Sequence, residues 1–86
     1  MAKANKEIKE IMQVVDYGDI ELKLDKLLND RNISTYELSN KAHIRFQTIQ
    51  NLRKRQTTRI DFNVLARICY SLDCKVQDVI EYKEKK

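Results

Sequence analysis

The sequence predicts an all-α fold of one small domain, and three observations carry that prediction. A chain of 86 residues can bury only one core. With no proline, one glycine and 7% aromatic residues, it lacks the turn formers that a many-stranded sandwich or barrel needs at short intervals. Its apolar residues recur instead every three or four positions, the spacing that lines one face of a helix. At 42% hydrophobic and 35% charged, the composition is that of a folded globular chain.

The elements follow in order. Ala4, Ile8, Ile11, Met12 and Val15 form an amphipathic helical stripe, and Gly18 is expected to end it after Asp16 and Tyr17. Ile20 to Leu24 then alternates with period two, the pattern of a short strand. Leu24, Leu27, Leu28 and Arg31 switch to helical spacing. After Asn32 and Ile33, Ser34 and Glu37 stand at capping-box spacing, so a short helix is predicted from Thr35 to near His43. Phe46, Ile49 and Leu52 line a further helix running to about Lys54, and the polar stretch 55–59 reads as a loop. Asp61 is a good N-cap for a helix with the inner face Val64, Leu65, Ile68, Cys69 and Leu72. A cap at Asp73 or Cys74 is expected to open a last turn or two with Val76, Val79 and Ile80, ahead of a charged tail from Tyr82.

Whole classes of function fall away on composition. No apolar run approaches the roughly 18 residues of a membrane span, and Met1 to Lys6 has no apolar signal core behind it. A soluble cytoplasmic chain with no membrane partner is expected. Two cysteines, Cys69 and Cys74, and one distant histidine, His43, assemble neither a disulfide framework nor a four-ligand zinc site, and free thiols suit a reducing compartment. No nucleophile and base stand at catalytic spacing and no glycine-rich phosphate loop is present. The expectation is a non-enzyme without cofactor, metal or small-molecule substrate.

The segment from Ile33 to Leu52 carries the functional argument. Two short helices joined by a tight connection make a helix-turn-helix. That layout needs a small residue where the helices cross, supplied by Ser39, and apolar residues tying the second helix to the core, supplied by Ile49 and Leu52. The remaining face of the second helix carries Arg45, Gln47, Thr48, Gln50, Asn51, Arg53 and Lys54. These are side chains of the kind that read base edges and grip phosphates.

On these residues the chain resembles the Cro and lambda-repressor-like helix-turn-helix domains of the XRE type. The likeness runs from Leu22 to Glu81: Leu24 to Arg31 as first helix, ISTYELSNKAHIRFQTIQNLRK as the helix pair, IDFNVLARICYSLDC as the fourth helix and KVQDVIEY as the fifth. It implies a five-helix domain over residues 19–82, and leaves outside it the N-terminal amphipathic helix read in 1–18 and a charged tail in 83–86. It further implies a sequence-specific transcriptional regulator, a repressor, that places the helix 45–54 in the major groove of double-stranded DNA. Arg45, Phe46, Gln47, Gln50 and Asn51 fall at the base-reading positions. Thr35, Thr48 and Lys54 fall at phosphate contacts, and the basic residues Lys41, Arg55 and Arg59 beside them are expected to grip phosphates through their charge. His43 stands where glycine is usual in the turn, and histidine is among the residues enriched at positive φ. Phe46 replaces a usual polar reader and either stacks on a thymine methyl or packs inward. By the same likeness and by its alternation, Ile20 to Lys23 is expected to pair with the segment around Ile80 to Lys83.

Charge supports a nucleic-acid partner. The formal net charge is only +4, yet residues 38–60 hold Lys41, Arg45, Arg53, Lys54, Arg55 and Arg59 and no acid. The N-terminal stripe has two readings side by side: packing on the domain's own surface, or a contact in a homodimer or with a partner. The alternative for the whole chain is a protein-interaction or antitoxin-like module with the helix-turn-helix as scaffold, which would bind no DNA even at low salt.

Overall fold

Residues 16–84 are described in this computed structural model, so the helix expected over residues 4–15 lies outside the described residues. The elements are β1 (Asp19–Leu22), α1 (Leu24–Asp30), α2 (Thr35–Ala42), α3 (Phe46–Arg53), α4 (Phe62–Leu72), α5 (Val76–Val79) and β2 (Ile80–Lys83).

The domain is therefore mostly helical, and the all-α expectation needs one correction. β1 and β2 form a two-stranded antiparallel sheet, with Asp19 opposite Lys83 and Leu22 opposite Ile80. The pairing is the one expected, displaced one residue toward the N-terminus on the first strand. Lys23 leaves the ladder because it caps α1, and its N–H reaches the Val79 carbonyl at 2.6 Å. Tyr82 and Lys83, placed in the tail by sequence, continue β2. Gly18 leads into the ribbon at φ +85°, and a Cβ there would stand 2.5 Å from the Lys83 carbonyl oxygen. Only glycine satisfies both the left-handed backbone and that close approach.

Local chemistry sets the helix boundaries. Ser34 Oγ accepts from the Glu37 N–H at 3.0 Å while the Glu37 carboxylate accepts from the Ser34 N–H at 3.1 Å, the complete capping box. Asp61 caps α4 by accepting from the Asn63 N–H at 2.6 Å. Asp73, expected to open the last helix, instead closes α4 at φ 49°. The apolar face of α4 runs to Leu72 and the chain must then turn left-handed, a conformation that aspartate tolerates better than most residues. The N-cap of α5 is consequently Lys75, whose N–H donates to Asp78 Oδ2 at 2.9 Å. Asn32, His43, Arg55 and Asp73 all have positive φ, so α1 to α4 each close on a left-handed residue bearing a side chain.

The core gathers Leu24 and Leu28 of α1, Leu38 and Ala42 of α2, Ile44 of the turn, Ile49 and Leu52 of α3, Leu65, Ile68 and Leu72 of α4, and Val79 of α5. Val64 and Cys69 pack against it half-buried, as the predicted inner face of α4 requires. Each fully buried Leu, Ile or Val contributes about 1.5–3 kcal/mol. The core thus welds the helix pair to α1 and α4. Among the described residues, no helix is long and apolar enough to cross a membrane.

Candidate nucleic-acid interface

The connection between α2 and α3 is stitched at several points. His43 adopts φ 55°, ψ 47° and its N–H returns to the Ser39 carbonyl, so the histidine performs the expected turn role. Ser39 Oγ donates to the Ile44 carbonyl at 2.6 Å, and the Ile44 N–H donates back to the Ser39 carbonyl at 3.2 Å. From α4, Arg67 Nη1 donates to the His43 carbonyl at 3.0 Å. This guanidinium covers carbonyls that the end of α2 leaves without helical partners.

α3 presents two different sides. Toward α1, Arg53 is turned inward, its side chain only 16% exposed. Its Nε donates to Asp25 Oδ1 at 2.7 Å, its Nη2 to Asn29 Oδ1 at 2.7 Å, and its Nη1 to the hydroxyl of Thr35 at 3.0 Å. Thr35 is buried and donates in turn to Gln50 Oε1 at 2.7 Å. One guanidinium thereby ties α3 to α1 and to the first residue of α2. Of the six cations between residues 38 and 60, Arg53 is withdrawn from the outer face, and Arg55 lies 3.3 Å from the Glu21 carboxylate.

The other side of α3 faces outward. Arg45, Phe46, Gln47 and Lys54 are exposed, and Thr48, Gln50 and Asn51 are half-buried. Phe46 is 48% exposed and stands outside the core cluster, so of its two readings the outward one has the geometry. Gln47 Nε2 donates to Asn51 Oδ1 at 2.9 Å, one turn along the helix. Lys41 at the end of α2 and Arg59 in the loop before α4 are exposed. Glu37, at the opposite end of α2 from Lys41, is occupied in the capping box. The arrangement can hold a polyanion along its rim and offer amide donors and acceptors between.

The residues matched by the model of the Cro/C1-type helix-turn-helix DNA-binding domain, 23–85, span α1 to β2 and include this whole face. The chain belongs to that family. It is also 30% identical over 62 residues to the uncharacterized HTH-type transcriptional regulator YozG of Bacillus subtilis (strain 168), over 72% of this chain and 74% of that protein.

In this Cro/C1-type domain the structure gathers Arg45, Phe46, Gln47, Thr48, Gln50, Asn51 and Lys54 on or beside α3, with Lys41, Arg55 and Arg59 flanking. Thr35 is set apart by burial, since its hydroxyl is occupied inside the protein. Sequence reasoning missed Asp25, Asn29 and Arg67. Asp25 and Asn29 share one face of α1 at i, i+4, a weak signal for a polar seam. Arg67 gave none, because the carbonyls it caps belong to another helix. Burial first, and then Cys69 beside it, push the Cys74 thiol up to about 11. It stays protonated at neutral pH.

Proposed function

We infer that this DNA-binding regulator of transcription acts as a repressor, inserting α3 and its flanks, residues 45–54, into the major groove of double-stranded DNA. One observation carries the reading: the outward side of α3 is polar, basic and free of acids, on a helix whose inner side is locked to α1 by Arg53. Arg45, Phe46, Gln47, Gln50 and Asn51 meet base edges. Lys41, Thr48, Lys54, Arg55 and Arg59 grip phosphates. Thr35 adds a phosphate contact through the N–H that the first turn of α2 leaves without a helical partner. A homodimer would set two such helices about 34 Å apart on a palindromic site.

The test is duplex binding across salt. About four neutralised phosphates per chain give a slope of log K against log salt near −3.6, roughly a hundredfold loss from 50 to 200 mM. Gln47→Ala or Asn51→Ala should cost on the order of 1–3 kcal/mol on the preferred duplex and little on random DNA, whereas Arg55→Ala should weaken both alike. Failure to shift any duplex at 50 mM salt would move the chain to the protein-interaction reading.

A further inference from the structure

We propose that Thr35 sets the base preference of Gln50: the hydroxyl holds the amide with its NH₂ outward, so Gln50 selects guanine and discriminates against adenine. The inference rests on the reading of α3 as the base-reading helix and adds to it the identity of one base and the residue that dictates it.

The geometry is a hydrogen-bond relay with one permitted direction. Arginine has donors only, so at 3.0 Å from Arg53 Nη1 the Thr35 oxygen must accept. Asp25 and Asn29 hold that guanidinium from its other two nitrogens, which keeps Nη1 aimed at Thr35. The buried hydroxyl then has its own hydrogen to place, and its 2.7 Å partner is the Gln50 amide. A donated hydrogen needs an acceptor, so the atom facing Thr35 is Oε1 and not Nε2. Which end of an amide is oxygen is ordinarily settled only by its network, and here the hydrogen of the buried Thr35 hydroxyl, placed on Gln50, sets it. Among the described residues no buried side-chain nitrogen or oxygen lacks a partner, so Nε2 of Gln50, which has none, is open to solvent.

The consequence is chemical. A glutamine reads adenine bidentately by donating to N7 and accepting from the N6 amino group, for which it needs both ends of its amide. Gln50 has its oxygen turned to Thr35 by that bond, so the end it presents away from the protein is the donor NH₂. Guanine presents two acceptors, N7 and O6, and suits that end of the amide. Gln47 and Asn51 make the contrast: their mutual hydrogen bond at 2.9 Å is exposed and has no arginine behind it, so either amide can reorient to suit the base it meets.

The experiment is selection from a random duplex library with the full chain, run in parallel for the wild type, Gln50→Ala, Thr35→Val, Thr35→Ser and Gln50→Glu. Gln50→Ala marks the position that Gln50 reads. There the wild type should enrich guanine. Thr35→Val, of the same shape without the donor, should lower the guanine-to-adenine ratio roughly tenfold, and Thr35→Ser should restore it. Gln50→Glu keeps an acceptor for Thr35 and turns an oxygen outward, so guanine should give way to a base with an exposed amino group, cytosine or adenine. That variant leaves Thr35 and Arg53 intact, so the proposal does not depend on Thr35→Val folding. Adenine enriched by the wild type at that position, or an unchanged ratio in both Thr35→Val and Gln50→Glu, overturns the proposal while base reading by α3 stands. A wild type that enriches no base anywhere overturns that reading and the proposal with it.

Discussion

The seam between α1 and α3 and the ribbon of β1 and β2 both hold opposite charges across elements, yet they use them differently. At the seam one guanidinium is nearly enclosed and all three of its nitrogens are engaged, by Asp25, Asn29 and Thr35. On the ribbon, Lys23 meets Glu81 at 3.3 Å and Lys83 reaches both Glu21 and Glu81 at 3.6 Å, through side chains that remain substantially exposed. Enclosure gives the first network a geometry to enforce. The second is screened and free to exchange partners. Counting ion pairs would rank the ribbon above the seam; counting what each orients reverses the order.

That contrast can be broken by substitution. Arg53→Leu should have the largest effect, about 2–3 kcal/mol by urea unfolding, because it removes three hydrogen bonds from one charged group at once, to Asp25, Asn29 and Thr35. A loss under about 0.5 kcal/mol would place the seam in the same class as a surface pair. Gly18→Ala should cost about 1–2 kcal/mol, since alanine must adopt φ near +85° with its methyl against the Lys83 carbonyl. Hydrogen exchange should then accelerate in β1 and β2 while α2 and α3 stay protected. Uniform acceleration would mean that the ribbon and the helices open as one unit. The smallest effect should come from Lys23→Met. Lys23, with a further contribution from Lys83, holds the Glu81 carboxyl below the ordinary glutamate range. A depressed carboxylate contributes stability above its unfolded pKa and loses it as pH falls through the folded value. The variant should move the Glu81 midpoint upward in an NMR titration, and its difference in stability from the wild type should close on acidification. An unmoved midpoint would show that Lys83 alone suffices.

Elements governed by neighbours in sequence were legible before the structure. Ser34 with Glu37, Asp61, the left-handed turn at His43 and the apolar faces of α1 to α4 all follow from residues within a turn or two of one another. The strand at Ile20 could be read from its alternation, but its partner lies at the far end of the chain, and only the family likeness pointed there. At the interface, the outward residues of α3 follow from periodicity once Ile49 and Leu52 are assigned inward. Arg53 does not. Its spacing leaves it at the edge of the polar face, and whether it turns to solvent or to α1 depends on Asp25, 28 residues away. Thr35 escaped for the same reason: burial of an N-terminal helix residue is decided by the helix that crosses it.

The left-handed helix ends bear on how this domain would meet imperfect sites. Glycine is the usual soft joint where a helix stops, and here Asn32, His43, Arg55 and Asp73 occupy those joints instead. A side chain at such a position narrows the backbone's choices, so the turns flanking α2 and α3 have little play. A recognition unit built this way behaves as a rigid die. When target duplexes differ in groove width, the deformation falls on the DNA, and sequences that bend cheaply gain an advantage at base pairs the protein never touches.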